Sequence, residues 1–204
     1  MENFINPHAE EQTVLINAAM NIFGKNGYKK ASVADIAKEA GLAKGMINYY
    51  FGSKKNLYFY LAELCGRNFA EEMGKNYDPT VTDFFDNLKM MTRIKISLIK
   101  THPGIFMFLT SFYLEQDEEV RDGIKEYMAK SMKMREQLIF KDVDVSKFKD
   151  DVDPKLIDKL LVWAGEGMAN NMKQGLEYEQ IEGFTNELFA CLDLMKKHFY
   201  KEEN

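Results

Sequence analysis

The sequence has little of what secreted or catalytic chains are built from. Its 204 residues hold only two cysteines, Cys65 and Cys191, far apart and with no Cys-x-x-Cys pair or Cys/His cluster near either. That count favours two small buried thiols in a reducing compartment over a disulfide or metal role. The three histidines, His8, His102 and His198, are scattered. None has the His-Glu-x-x-His or Glu-x-x-His spacing that puts metal ligands on one helix face. Neither a Gly-x-Ser-x-Gly turn nor a phosphate-binding glycine loop occurs. Asp142, Asp144 and Ser146 imitate the opening of a calcium loop, but Lys147 stands where such a loop needs glycine, and Asp153 replaces the closing Glu. The expectation is a protein that is not an enzyme and needs no cofactor or metal. Long apolar runs are also missing: the longest, Ile105 to Leu114, is interrupted by Thr110 and Ser111, and a membrane span needs roughly 20 residues. The chain opens Met1-Glu2-Asn3, with neither basic leader nor apolar core, so a cytoplasmic protein without membrane contact is expected.

Proline is scarce too, and its four positions are informative. Pro7, Pro79, Pro103 and Pro154 punctuate the chain, because proline fits a first helical turn and disrupts a helix interior. Between them apolar residues recur with helical spacing, as in Leu15, Ala18, Ala19, Ile22 and Phe23, and again in Ile157, Leu160, Leu161, Ala164 and Met168. Sustained period-two alternation is absent, and Asn26-Gly27 follows a helical stretch, as a C-terminal cap does. The fold class is all-α. The pattern predicts helices over roughly 8–25, 32–39, 43–50, 53–75, 80–101, 103–115, 117–140, 154–174 and 179–200. Ser32-Val-Ala-Asp35 and Thr80-Val-Thr-Asp83 read as capping starts, and Asp153-Pro154 as a third. The polar, acid-rich stretch Lys141 to Asp153 reads as a surface loop.

What is present is apolar matter in quantity and an uneven charge. Hydrophobic residues make up 46% of the chain, enough to build a core, and the net charge is −5. Residues 1–60 nevertheless carry seven lysines against five acids. A mildly basic head on an acidic body suits a head that meets a polyanion.

Residues 32–51, SVADIAKEAGLAKGMINYYF, carry the specific signal. Two short helices meet at Ala40-Gly41-Leu42, where a tight turn needs the positive φ that glycine accepts. Ile36, Ala40, Leu42 and Ile47 can form one apolar underside, with Lys44, Met46, Asn48, Tyr49 and Tyr50 outward. This is the layout of a helix-turn-helix, whose second helix enters the DNA major groove. From Leu15 to Leu61 the chain resembles the DNA-binding head of tetracycline-repressor-like (TetR/AcrR) regulators. The elements concerned are Phe-x-x-x-Gly-Tyr at Phe23 to Tyr28, Asp-Ile-Ala-x-x-Ala-Gly at Asp35 to Gly41, and the run from Lys44 through Tyr49, Tyr50 and Phe51 to Lys54.

The resemblance implies roles by position. Lys44 would contact a phosphate or base from the first turn of the recognition helix, and Gly45 would let the backbone approach DNA. Tyr49 would pack on the sugar-phosphate chain or a thymine methyl, Tyr50 would donate its hydroxyl to phosphate, and Lys54 would neutralise a phosphate. Ser32 and Val33 open the second helix, where backbone N–H groups can meet a phosphate oxygen. Met46 completes the outward face. Ala43 stands where Ser or Thr is frequent, so one cap or phosphate contact is missing, and Asn48 stands where tyrosine is frequent and can pair with adenine.

Three parts follow: a DNA-binding head at 1–52, a linking helix at 53–76, and an effector-binding and dimerisation body at 77–204. The body holds ten Phe, five Tyr and Trp163, with eight Met between 90 and 172. Such composition suits plain core, but the resemblance favours a small-molecule cavity lined by Met91, Ile94, Phe112, Tyr127, Met134 and Trp163. Few charges interrupt these stripes, so a largely apolar effector is expected, with Asn170 and Asn171 as polar candidates. Ile181, Phe184, Leu188, Cys191, Met195 and Phe199 form a stripe along the last helix. With Leu160 and Met168 it suits a four-helix homodimer interface. The expected partners are thus a double-stranded DNA operator, a second copy of the chain and an unidentified effector, and the expected activity is repression through a palindromic operator. The competing readings are a helical ligand-binding or protein-interaction module without DNA binding, and an activator of the same fold.

Overall fold

The computed structural model describes residues 7–171 and 178–202. Among them the elements are α1 (Pro7–Lys30), α2 (Val33–Ala40), α3 (Gly45–Phe51), α4 (Lys54–Asn76), α5 (Phe84–Thr101), α6 (Pro103–Leu114), α7 (Arg121–Phe140), α8 (Pro154–Asn171) and α9 (Tyr178–Phe199), with one 3-10 turn at Val145–Lys147. The all-α reading holds: the only β-type pairing among the described residues is a single bridge between Phe148 and Tyr200. No described helix is long and apolar enough to cross a membrane.

Boundaries differ from expectation where side chains compete for the first-turn amides. α5 begins at Phe84, not Thr80: Thr80 turns back to bond Asp78, and Asp83 accepts from the amides of Phe85 and Asp86 as the true cap. α7 starts at Arg121, not at 117, because the Glu115 carboxylate binds the amides of Gln116 and Asp117 in a turn. α1 runs past Asn26-Gly27 to Lys30, but Gly27 breaks its helical geometry at φ 72° and ψ 173°. The sequence signal marked a real interruption in a helix that then resumes.

The helices form two compact units, and the division between them falls inside the linking helix and inside the body, leaving the head in the first. The first takes Met1–Glu71 with Ser97–Ala129, the second Glu72–Ile96 with Lys130–Asn204. The core of the first is aromatic: Phe23, Tyr28, Tyr58, Phe108 and Phe112 are all buried, with Leu15, Ile36, Ile47, Leu57 and Leu61 around them. α6 lies close along α1, and Gly24 makes this possible, because a Cβ there would stand 3.0 Å from Cβ of Met107 and 3.2 Å from its backbone. Two hydrogen bonds fix the pair. Ser111 donates to the Phe23 carbonyl at 2.9 Å, and the Tyr28 amide, freed by the break at Gly27, donates to the Glu115 carboxylate at 2.6 Å.

The second unit is nucleated by Phe84, Phe85, Phe148 and Tyr200, whose rings pack edge-on or tilted with centroids within 5.8 Å. Phe148 corrects the reading of 141–153 as purely a surface loop. It is buried, and the backbone on both sides of it is tied to the end of the chain by Lys149 N to Phe199 O and Lys201 N to Lys147 O, each at 2.9 Å. Lys196 on α9 bridges Asp83 at 3.1 Å and Asp86 at 2.7 Å, and Lys147 reaches Asp83 at 3.5 Å. Of the two thiols expected to be buried, Cys65 is, whereas Cys191 is exposed on α9.

Candidate nucleic-acid interface

The turn between α2 and α3 is built from local chemistry. Ser32 caps α2: its hydroxyl accepts from the Asp35 amide at 3.0 Å and donates to the Asp35 carboxylate at 2.5 Å, so the expected capping start forms. At the other end Gly41 sits at φ 65°, the left-handed geometry that lets Leu42 N reach back to Ala37 O at 2.9 Å. Ile36 and Ile47 are fully buried and Ala37 nearly so, which seats α3 on the core of the first unit. Lys44 precedes α3 without a side-chain cap.

Burial of Ile47 fixes which side of the seven-residue α3 faces out. Ala43, Lys44, Gly45, Asn48 and Tyr49 are exposed, Met46 is half-buried, and Tyr49 is 69% exposed. Its ring meets that of Tyr50 edge-on at 5.0 Å. No heavy atom lies within 4 Å of where a Cβ at Gly45 would stand. Nothing in the described structure requires glycine there, so the open backbone is available to something outside. Ser32 and Val33, half-buried at the start of α2, share the unit.

Two expected contacts take a different form. The Tyr50 hydroxyl, expected at a phosphate, donates to Glu11 on α1 at 2.9 Å. Lys54 was expected to neutralise a phosphate. Its ammonium instead donates to Tyr28 O at 3.0 Å and Ala31 O at 3.2 Å, and lies 4.0 Å from the centroid of the Tyr28 ring. It closes carbonyls at the end of α1, where a cation is favoured, and retains one N–H beyond those two. Sequence reasoning also missed Glu11, Ser111 and Glu115, because their partners are distant in sequence and no local pattern marks them.

The six proposed effector residues do not share a unit. Phe112 and Tyr127 belong to the first, where Phe112 is fully buried among other rings and the Tyr127 hydroxyl donates to Ala62 O at 2.7 Å. Met91 and Ile94 are buried in the second, while Met134 and Trp163 are exposed there. Of the proposed interface residues, Leu160 is exposed, Phe184, Leu188 and Met195 are half-buried, and Ile181 is buried. The side chains of Met168, Asn170 and Asn171 lie outside the described residues, as does the expected end of α8 at 174.

Residues 15–61 match the family model described as "Bacterial regulatory proteins, tetR family". The chain is 24% identical over 148 residues to the "Fatty acid metabolism regulator protein" of Bacillus subtilis, covering 72% of this chain and 75% of that one. Its fold is shared with a TetR family transcriptional regulator from Chloroflexus aurantiacus at TM-score 0.68 and 19% identity, over 99% of both chains. It is also shared with the transcriptional regulator FadR from Bacillus subtilis in complex with stearoyl-CoA, at TM-score 0.64 and 18% identity, over 89% of this chain and 97% of that one.

Proposed function

The chain belongs to the TetR family of bacterial transcriptional regulators, proteins that bind DNA and respond to ligands and are not enzymes, and from that premise we propose that it is a repressor. In this reading it grips a palindromic operator as a homodimer and is released by an effector with a long hydrocarbon chain. The observation that carries the proposal is the outward face of α3, where Lys44, Gly45, Asn48 and Tyr49 are exposed above buried Ile47. Lys44 supplies charge for phosphate, Asn48 a donor–acceptor pair that fits adenine, and Tyr49 an amphipathic ring for the sugar-phosphate chain. The Ser32 cap leaves first-turn amides of α2 for a phosphate oxygen. Lys54 acts mainly by holding the end of α1 and Tyr28 in place beneath that face.

Self-association is supported by apolar surface on the last two helices. Leu156, Leu160 and Trp163 on α8 and Leu194 on α9 are exposed, and Phe184, Leu188 and Met195 are half-buried. A two-fold dimer would present two heads to half-sites one or more turns apart, roughly 34 Å per turn. The effector class is supported by the fatty acid metabolism named for the Bacillus subtilis relative and the stearoyl-CoA named for the FadR structure. The test is selection of bound sequences from a random double-stranded DNA pool, with affinities measured at two salt concentrations. Recovery of a palindrome with steep salt dependence is the expected result. No enrichment by ligand-stripped protein would refute operator binding.

A further inference from the structure

The recognition element α3 is seven residues long, too short to hold a direction by its own hydrogen bonds, because isolated helices below about 12 residues are marginal in water. Its orientation comes from side chains that leave it for the rest of the first unit. Ile47 is buried in the core. The Phe51 ring meets Tyr60 on α4 with centroids 5.1 Å apart. A third anchor is Tyr50, whose half-buried ring packs on the same core and whose hydroxyl donates to Glu11 Oε2 on α1 at 2.9 Å. The Tyr50 ring in turn meets exposed Tyr49 edge-on at 5.0 Å. One hydrogen bond and one ring contact thus link α1 to the outward face of α3.

A phenol has a single O–H to give. While Glu11 accepts it, the Tyr50 hydroxyl offers only lone pairs, and these cannot bond a phosphate oxygen, which itself only accepts. The Glu11 carboxylate also repels a DNA backbone. Glu11 therefore opposes a phosphate contact at this point, and what it supplies instead is geometry. A hydrogen bond to a charged acceptor is short and strong, and this one ties the last turn of α3 to α1. That tie matters unequally for the two kinds of DNA contact. A bidentate base contact by Asn48 needs placement to within about 0.5 Å and 20°, whereas a flexible lysine follows a phosphate over a wider range.

We propose that Glu11, acting through Tyr50, is a positioning residue that sets the specificity of operator recognition: it fixes the roll of α3 on which the base contact of Asn48 and the placing of the Tyr49 ring depend, and it does so in place of a phosphate contact. This rests on the operator-binding reading above and deepens it.

The test is fluorescence-anisotropy titration of the ligand-stripped full-length protein and its variants, at one salt concentration, with the palindrome selected by the wild type and with a random-sequence duplex of equal length. Glu11→Ala should narrow the ratio of the two affinities at least about threefold, within the range for coupled neighbours, while affinity for the random duplex does not fall. Glu11→Gln keeps an accepting carbonyl oxygen without the charge, so it should return the ratio to within about twofold of wild type. Tyr50→Phe removes the donor, keeps the ring, and should narrow the ratio as Glu11→Ala does. Equal losses on both duplexes in Tyr50→Phe would place its hydroxyl at a phosphate and overturn the proposal. An unchanged ratio in Glu11→Ala, or a Gln variant no better than the Ala variant, would overturn it as well. Selection of no palindrome by the wild type would bring down the operator reading and this proposal together, whereas a palindrome bound with no regard to Glu11 would remove this proposal alone.

Discussion

At the scale of single residues, what the sequence disclosed depended on how far away a partner lies. Ser32, Asp35 and Gly41 were readable because a cap and a left-handed turn are completed within a few positions. The intramolecular partners of Tyr50 and Lys54 were not readable, because Glu11 is 39 positions from Tyr50, and the Tyr28 and Ala31 carbonyls are 26 and 23 from Lys54. The ion pair of Arg135 and Asp158 was invisible for the same reason, since its members lie 23 positions apart on two helices. The distinction between Tyr49 and Lys54 can be measured. Tyr49 is exposed at the head of the molecule, so Tyr49→Ala should leave urea unfolding within ~0.5 kcal/mol of wild type and weaken operator binding at least tenfold. Lys54→Met strands two carbonyls and removes the cation beside the Tyr28 ring, so it should cost about 1–3 kcal/mol of stability as well as operator affinity. If Lys54→Met unfolded like wild type while losing operator affinity, its role would be at the phosphate after all.

At the scale of elements, periodicity identified the α-helices found among the described residues, and the larger errors fell at the starts of α5 and α7 and at the end of α1. The choice between Thr80 and Phe84 for α5 was decided by Asp83, which is held from several sides. Its burial opposes ionisation, but the Asp86 amide, the Lys196 ammonium and the charges of Lys196 and Lys147 outweigh it and hold the carboxyl below its ordinary value. A carboxyl depressed in the folded state contributes stability above its unfolded value, near 3.9, and loses it as pH falls through the folded value. Stability should therefore be flat from neutrality down to about pH 5 as far as Asp83 is concerned, then decline. Asp83→Asn should be less stable by about 1 kcal/mol at pH 7 and should show a shallower acid decline in chemical unfolding measured at successive pH values. Equal slopes would remove Asp83 from the acid response. The apolar faces of α8 and α9 give a second expectation at this scale. Leu160→Glu combined with Phe184→Glu should convert a dimer to a monomer in sedimentation and weaken operator binding with it, because a lone head loses the second half-site. An unchanged mass would move the interface elsewhere.

At the scale of the whole molecule, head and body are not separable in the way their order along the chain suggests. α6, which falls in the segment read as body, belongs to the same compact unit as α1, α2 and α3. It is attached there by the close approach at Gly24 and by the bonds from Ser111 to Phe23 and from Tyr28 to Glu115. No sequence pattern announces this, because an α1–α6 contact needs Gly24 and Met107 to be known as neighbours. α5 and α7 in turn each contribute residues to both units. A ligand that prefers one arrangement of these helices shifts the population toward it in proportion to its differential affinity. Coupling is reciprocal, so an effector that weakens operator binding must itself bind less tightly to operator-bound protein by the same factor. Saturating effector should then raise the melting temperature of the free protein while lowering operator affinity, and the shift in effector affinity measured with and without operator should match in fold. Tighter operator binding with effector present would reverse the sign and make the protein a co-repressed regulator. A melting shift with no change in operator affinity would mean that the ligand-binding helices stabilise the fold without instructing the head.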